Sequence, residues 1–178
     1  MNMMGLRLSL ATVLVGAALS GCSFLSPFTT CEGTGPEVAA LDELSALDLH
    51  PPGATPVGGG SADSATCTDD SGDAWLSADR LYVYDGSAED VRAYYARELP
   101  AAGWDPPRRA GAAVAGRIPL TCYESPDRPS VTVAFETPAD LREFYGVDPG
   151  PAPAGSASRV WIHLFAEAST DGSRMDCW

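Results

Sequence analysis

The chain has 178 residues and a formal net charge of −13 at pH 7, with 24 acidic residues against 11 basic ones. This excess of acid argues against a nucleic-acid partner, because binding a phosphate backbone requires a basic surface. All the basic residues are arginine, so the absence of lysine excludes P-loop, Schiff-base and Ser-x-x-Lys sites.

The first 21 residues have the organisation of a signal peptide. Arg7 precedes an apolar and small-residue run over 8–19 that is too short to span a membrane. The run leads into Leu-Ser-Gly-Cys at 19–22, which resembles the lipobox of bacterial lipoproteins. The resemblance implies cleavage between Gly21 and Cys22 and a diacylglyceryl group on the Cys22 sulfur.

The same resemblance implies a location. Two acyl chains anchor a protein stably, whereas one binds a membrane only marginally. We therefore expect the mature chain on the extracytoplasmic face of the cell membrane. The membrane would be one partner, through the lipid on Cys22, and an envelope protein is a candidate second partner. The alternatives are an ordinary secretory signal with an incidental cysteine and an uncleaved membrane anchor.

Four cysteines follow Cys22, and an even number in an exported chain indicates disulfides. They are Cys31, Cys67, Cys122 and Cys177. Four cysteines allow three pairings, and the sequence does not choose among them. We favour Cys67–Cys122, which would tie the start of the core to a central strand. The remaining bond, Cys31–Cys177, would then join the two ends of the domain.

The segment between Cys22 and the packed domain is expected to be largely irregular. Residues 23–36 are rich in Ser, Thr, Pro and Gly and predict a tether, and 51–65 form a second irregular stretch. Apolar residues at steps of three predict a short helix or turn over 37–49. The chain then divides into a signal peptide (1–21), a tether with an irregular segment (22–66) and a single domain (67–178).

The first predicted elements of the domain are a strand and a helix. Residues 81–84 alternate as in a strand. Ser87 as N-cap, with Asp90 three residues later, predicts a capping box at the start of a helix. This helix should end between Leu99 and Gly103, because Gly103 can adopt the left-handed cap.

The rest of the chain is expected to be rich in strands. Alternation over 116–123 and 131–136 predicts an antiparallel hairpin. Thr137, followed by Pro-Ala-Asp, predicts the start of a short helix over 139–145. The last strand, 160–166, is apolar on both faces and should be central.

These elements predict an α+β domain, with one main helix packed on an antiparallel sheet of about four strands and two disulfides. The strand and Tyr-rich helix from Leu81 to Trp104 are similar to a recurring unit in small exported lipoproteins of actinobacteria. A composition frequent in Ala, Gly, Pro, Asp and Arg agrees with that source. The resemblance implies a fold and no activity.

No catalytic residue is predicted. A Ser or Cys nucleophile needs a base, normally histidine, and the chain has two histidines and no G-x-S-x-G sequence. His163 lies between Trp161 and Phe165 in a predicted strand, where a structural role is expected. A catalytic carboxylate pair of the glycosidase kind remains an alternative, because nothing in the sequence distinguishes one pair among the 24 acidic residues.

No metal or cofactor is predicted either. Asp69, Asp70 and Asp73 could offer oxygen ligands to calcium, but their spacing departs from the EF-hand loop. We favour a solvated acidic turn. Zinc is disfavoured, because no two cysteines have C-x-x-C spacing and only two histidines could assist.

The sequence does not specify a ligand. Tyr82, Tyr84, Trp161 and Phe165 would form a binding patch if they shared an uncovered sheet face, although such rows are more often packed. We expect a lipid-anchored binding or protein-interaction module at the cell envelope. The alternatives are an envelope hydrolase that uses acidic residues, which would need a pocket with convergent acids, and a structural spacer.

Overall fold

The computed structural model describes residues 29–57, 63–106, 120–150 and 158–177. The predicted signal peptide and Cys22 lie outside these described residues, as does most of the predicted tether. Among the described residues, no helix is both long and apolar enough to cross a membrane.

The described residues form three α-helices, a 3₁₀ helix and six strands. The helices are α1 (Gly35–Asp42), α2 (Ala88–Ala101) and α3 (Pro138–Phe144), with the 3₁₀ helix at Ser45–Asp48. The strands are β1 (Thr55–Pro56), β2 (Asp63–Asp70), β3 (Asp73–Tyr84), β4 (Thr121–Tyr123), β5 (Ser130–Glu136) and β6 (Val160–Ser169).

All six strands belong to one antiparallel sheet of order β1-β3-β6-β5-β4, in which β2 also pairs with β3. The predicted α+β class and the two disulfides are confirmed. The predicted count of about four strands and one main helix is wrong. The sequence of β2, Asp-Ser-Ala-Thr-Cys-Thr-Asp-Asp, has no apolar alternation, and this strand forms because it pairs along β3.

The three strands that the sequence predicted after α2 are present as β4, β5 and β6. β6 lies between β3 and β5, which confirms its central position. β4 and β5 form the predicted antiparallel hairpin, with Cys122 opposite Thr132. The first part of the predicted strand 116–123 lies outside the described residues.

Both predicted helix starts carry a complete capping box. The backbone N–H of Asp90 donates to Ser87 Oγ at 3.1 Å, and that of Ser87 donates to Asp90 Oδ2 at 3.3 Å. Thr137 and Asp140 repeat the arrangement at 3.2 and 3.0 Å. α2 ends at Ala101, followed by Gly103 with φ +92°, as predicted. Because each cap satisfies donors that the helix cannot, the two starts are fixed in place.

Helices cover the sheet on two faces. On the first, here called the α2 face, Val91, Tyr95 and Leu99 of α2 join the main core with residues from β3, β5 and β6. On the second, the α3 face, Leu141 of α3 packs with Leu81 and Trp161. The sheet is therefore the middle layer of the domain.

The main core also includes residues that precede Cys67. Leu41 and Leu47 are buried against the sheet. The hydroxyl of Tyr82 donates to the Leu47 carbonyl at 2.9 Å, and the hydroxyl of Tyr95 donates to the Leu49 carbonyl at 2.8 Å. The packed unit thus extends to the N-terminal side of Cys67, into the predicted tether and irregular segment (22–66). Within that segment, α1 and the 3₁₀ helix overlap the stretch 37–49, where the sequence predicted a short helix or turn.

The disulfides are Cys31–Cys67 and Cys122–Cys177, with Cα–Cα distances of 5.7 and 5.9 Å. The favoured pairing, Cys67–Cys122 with Cys31–Cys177, is wrong. Cys67 lies in β2 and Cys122 in β4, at opposite edges of the sheet. Four strand spacings separate them by about 19 Å, whereas a disulfide tolerates a Cα–Cα distance of about 7 Å at most.

Tryptic mapping without reduction tests this pairing. No arginine lies between Cys22 and Arg80, so Cys31 and Cys67 should stay in one peptide that is linked to no other. The peptide that contains Cys122 should instead be linked to the C-terminal peptide that contains Cys177. Mass spectrometry of the linked peptides measures this. A link between the Cys67 and Cys122 peptides would contradict the described sheet order.

Candidate functional site

A buried polar cluster lies on the α3 face of the sheet. His163 Nε2 is 2.7 Å from Asp79 Oδ1, and His163 Nδ1 is 3.1 Å from Glu136 Oε1. The three residues come from β6, β3 and β5. The register places Asp79 opposite Phe165 and Glu136 opposite Trp161, so each carboxylate lies diagonally across from His163. Neighbouring strands thus bring two acids to one imidazole.

Tyr145, the C-cap residue of α3, completes the cluster. Its hydroxyl lies 2.9 Å from His163 Nδ1 and donates to Glu136 Oε1 at 3.2 Å. The Phe165 ring stacks on the imidazole, with ring centroids 4.8 Å apart. The cluster therefore ties the end of α3 to three strands of the sheet.

The geometry favours a protonated His163. A carboxylate only accepts hydrogen bonds, so an imidazole with a carboxylate at each nitrogen pairs best with a proton on both. Burial lowers the pKa of His163, but the hydrogen bonds and charges of Asp79 and Glu136 outweigh it, and the pKa is raised overall. Burial, and then the charge of Asp79, raise the pKa of Glu167, four residues further along β6 than His163. The cluster is an internally satisfied ionic group.

A groove of about 250 Å³ lies near this cluster, between the first turns of α2 and α3. Its walls are mostly apolar. The apolar lining residues are Ala88 of α2, Phe135 of β5, Pro138 of α3, and Val160 and Trp161 of β6, and the polar residues Glu136 and Thr137 lie between them. Because the two helix starts are fixed by their capping boxes, these walls are preformed.

Two arginines lie in or beside the groove. Arg159 lines it and is paired with Asp85, with 2.8 Å between Nε and Oδ1. Arg92, one turn along α2 from Ala88, lies over the Phe135 ring at 5.0 Å from its centroid. Arg92 is exposed. Within the described parts of the chain its guanidinium has no ion pair or hydrogen bond, so it stays available to a ligand.

The groove lies far from the point where the described chain begins. The backbone N–H of Ala74, at the start of β3, donates to Thr29 Oγ1 at 2.8 Å. The other end of β3, Tyr84, pairs with Val160 of the groove. Ten residues of extended strand separate these points, which is about 33 Å. The groove and residue 29 are therefore at opposite ends of the sheet.

The acidic run Asp69, Asp70 and Asp73 surrounds the tight turn between β2 and β3. Ser71 and Gly72 form this turn with φ of 55° and 99°, as a type I′ hairpin requires. The three aspartates are exposed. Among the residues that the structure describes, no three His, Cys, Asp or Glu side chains are grouped as metal ligands.

The hypothetical aromatic patch does not form. Val83 pairs with Trp161, and Tyr82 pairs with Ile162. Because paired residues share a face, Tyr82 and Tyr84 lie on the α2 face, and Trp161 and Phe165 lie on the α3 face. Tyr82 is also buried at 4% exposure, so these four aromatic residues do not form one surface.

The sequence identified His163 but missed Asp79, Glu136, Tyr145 and Arg92. Glu136 carried one available signal, since it is a charged residue in a predicted strand, whereas Asp79 lies in the part of β3 that precedes the predicted strand 81–84. Their meeting depends on strand register, which the sequence did not provide. A comparison with family models, curated proteins and solved structures finds no match to this chain.

Proposed function

We propose that the chain is a lipid-anchored, extracytoplasmic binding module that captures its partner or ligand in the groove between α2 and α3. The observation that carries this proposal is the position of a preformed apolar groove at the end of the sheet opposite residue 29. A surface with this shape and chemistry suits the end of an apolar ligand or a protein segment.

The proposed anchor would orient this groove. Thr29 is seven positions after Cys22, and an extended chain of seven residue steps reaches about 25 Å. A lipid on Cys22 would therefore keep the β2–β3 turn near the membrane. The groove, at the far end of β3, would be presented away from the lipid surface and toward envelope components.

An envelope hydrolase is the second candidate, and the cluster around His163 is the observation that favours it. Two acids, an imidazole and a phenol converge there. However, both ring nitrogens are engaged, and the exposed fraction of the His163 side chain is 11%. A general base must be free to reach and deprotonate a reactant, so binding is the better-supported function. A structural spacer would use neither the groove nor the cluster.

Crosslinking in the native membrane, followed by purification through a tag after Trp178 and mass spectrometry, tests the proposal. In Ala88→Trp the indole should fill the groove, so the crosslink that the natural chain forms with its partner protein should be lost. Ala93→Trp adds the same bulk at an exposed position of α2 and should keep that crosslink. Cys22→Ser should lose it because the anchor is absent.

Two results would contradict the proposal. If Ala88→Trp and Ala93→Trp retain the same crosslinks, the groove is not the binding surface. If Cys22→Ser retains the natural crosslinks and the protein still sediments with membranes, the lipid on Cys22 is not the anchor. Metabolic labelling with a fatty-acid analogue, compared between the natural chain and Cys22→Ser, measures lipidation directly.

A further inference from the structure

The groove has one feature that favours a particular ligand chemistry. Arg92 and Ala88 are four residues apart on α2, so they lie on the same side of the helix. The Arg92 guanidinium is 5.0 Å from the centroid of the Phe135 ring, and both Phe135 and Ala88 line the groove. The guanidinium therefore lies beside this cavity, against one of its lining rings, although Arg92 is not itself a lining residue.

Arg92 differs from the other arginines of the described chain. Each of the others is within ion-pair distance of a carboxylate: Arg80, Arg97, Arg128, Arg142, Arg159 and Arg174. In a chain with 24 acidic and 11 basic residues, a guanidinium that forms no ion pair with any carboxylate of the described ranges is unexpected. The contact with Phe135 holds it against the groove without using its N–H donors.

We propose that Arg92 is the anion-recognition residue of this groove, and that the ligand is a single carboxylate attached to an aromatic or branched apolar group. This inference rests on the proposed binding function. The planar guanidinium would donate two parallel hydrogen bonds to the carboxylate, and the apolar group would fill the cavity against Phe135 and Val160.

Charge and volume both restrict the ligand. Glu136 also lines the groove, but its Oε1 is engaged by His163 and by the Tyr145 hydroxyl. Arg159, the lining arginine, is already neutralised by Asp85, so Arg92 is the open cationic position beside the groove. The strongly acidic chain would repel a ligand with several negative charges. The groove volume of about 250 Å³ is below the range of roughly 300–1,000 Å³ typical of pockets for drug-sized ligands. It therefore suits a small monocarboxylate or the carboxyl end of a longer chain.

The test is isothermal titration calorimetry on the full chain in detergent micelles, with empty micelles as the blank. The probes are N-acetylphenylalanine, which carries the carboxylate, and N-acetylphenylalanine amide, which does not. The acid should bind about tenfold more tightly than the amide, because a charge-assisted hydrogen bond contributes at least about this factor.

Arg92→Gln should weaken binding of the acid about tenfold and remove the difference between the two probes. Arg97→Gln is the matched control. Arg97 is also exposed on α2, with its guanidinium 5.8 Å from the Tyr94 ring centroid, but it is paired with Glu98, and Tyr94, unlike Phe135, does not line the groove. This variant should bind both probes like the natural chain.

The inference is overturned if the acid and the amide bind equally, if neither binds, or if the two arginine variants behave alike. Its failure is distinguishable from failure of the proposed function. If Ala88→Trp still abolishes the native crosslink while the acid and amide bind equally, the groove is a binding surface with another specificity. If Ala88→Trp also leaves the crosslinks unchanged, both proposals are wrong.

Discussion

Replacing His163 with glutamine should lower the free energy of unfolding by about 3–5 kcal/mol. The imidazole lies between Asp79 and Glu136, whose side chains are 22% and 15% exposed. Glutamine carries no charge, so two poorly solvated carboxylates would lose their shared cation. Urea denaturation of the oxidised chain carrying Cys22→Ser, followed by far-UV circular dichroism, measures the loss.

The loss should depend on pH. Because the pKa of His163 is raised in the folded chain, the native state holds this proton more tightly than the unfolded state does. The resulting stabilisation is fully present below the unfolded pKa of about 6.5 and is lost as pH rises through the higher folded pKa. The natural chain and His163→Gln should therefore differ most in mild acid and less at alkaline pH.

Other groups around His163 contribute their own pH dependence. The raised pKa of Glu167 also makes stability fall with rising pH, through its own, more acidic range. Tyr145 has a pKa raised by burial, and then by the charge of Glu136, so it stays protonated across neutral pH. The natural chain and His163→Gln both keep Glu167 and Tyr145. The difference between their unfolding free energies, followed against pH, therefore mainly reports His163.

His50→Gln is the matched control for this prediction. His50 packs beside Tyr82, with ring centroids 4.9 Å apart. Among the described residues, no hydrogen bond joins its imidazole to a carboxylate. Its replacement should cost about 1 kcal/mol or less. A His163→Gln loss no larger than the His50→Gln loss would mean that the cluster contributes no net stability. A difference that stays constant from mild acid to alkaline pH would contradict the raised pKa.

The parts of the fold that the sequence predicted correctly depend on short-range signals. Each capping box needs two residues three positions apart, Ser87 with Asp90 and Thr137 with Asp140. The alternation within β5 and β6 likewise depends on neighbours along one strand. Local chemistry decides these features, so one sequence is sufficient to find them.

The features that the sequence missed depend on how strands are arranged. The order of the sheet places Cys67 and Cys122 at opposite edges, which decides the disulfides. The register of β3 with β6 puts Tyr82 and Trp161 on opposite faces. A shift of one residue would exchange the faces of a whole strand, and the side-chain pattern of a single chain does not fix that register.

The candidate site shows the same limit more strongly. The cluster around His163 needs the register of three strands and the return of α3 across their face. The groove needs two helix starts to lie on either side of the β5 and β6 ends. His163 could therefore be identified as a structural residue from its strand alone, whereas its partners and the role proposed for Arg92 required the assembled sheet.

Replacing Trp104 with alanine should lower the free energy of unfolding by about 3–5 kcal/mol. Trp104 is wholly buried and follows Gly103 at the end of α2. Its Nε1 donates to the Pro129 carbonyl at 3.0 Å, and the Arg128 guanidinium lies 3.6 Å from the centroid of its ring. Alanine would leave a cavity, an unpaired carbonyl and an arginine without its aromatic contact.

Two further variants separate these contributions by the same denaturation measurement. Trp104→Phe keeps an aromatic ring but removes the N–H donor, so it should cost about 1–3 kcal/mol. Trp75→Ala removes a side chain of the same type from a half-buried position of β3, so it should lower the free energy of unfolding by less than Trp104→Ala does. Because Arg128 also donates to the Gly103 carbonyl at 3.0 Å, the ring, the arginine and the helix end form one connected contact. If Trp104→Ala were no more destabilising than Trp75→Ala, this contact would not join α2 to the sheet as described.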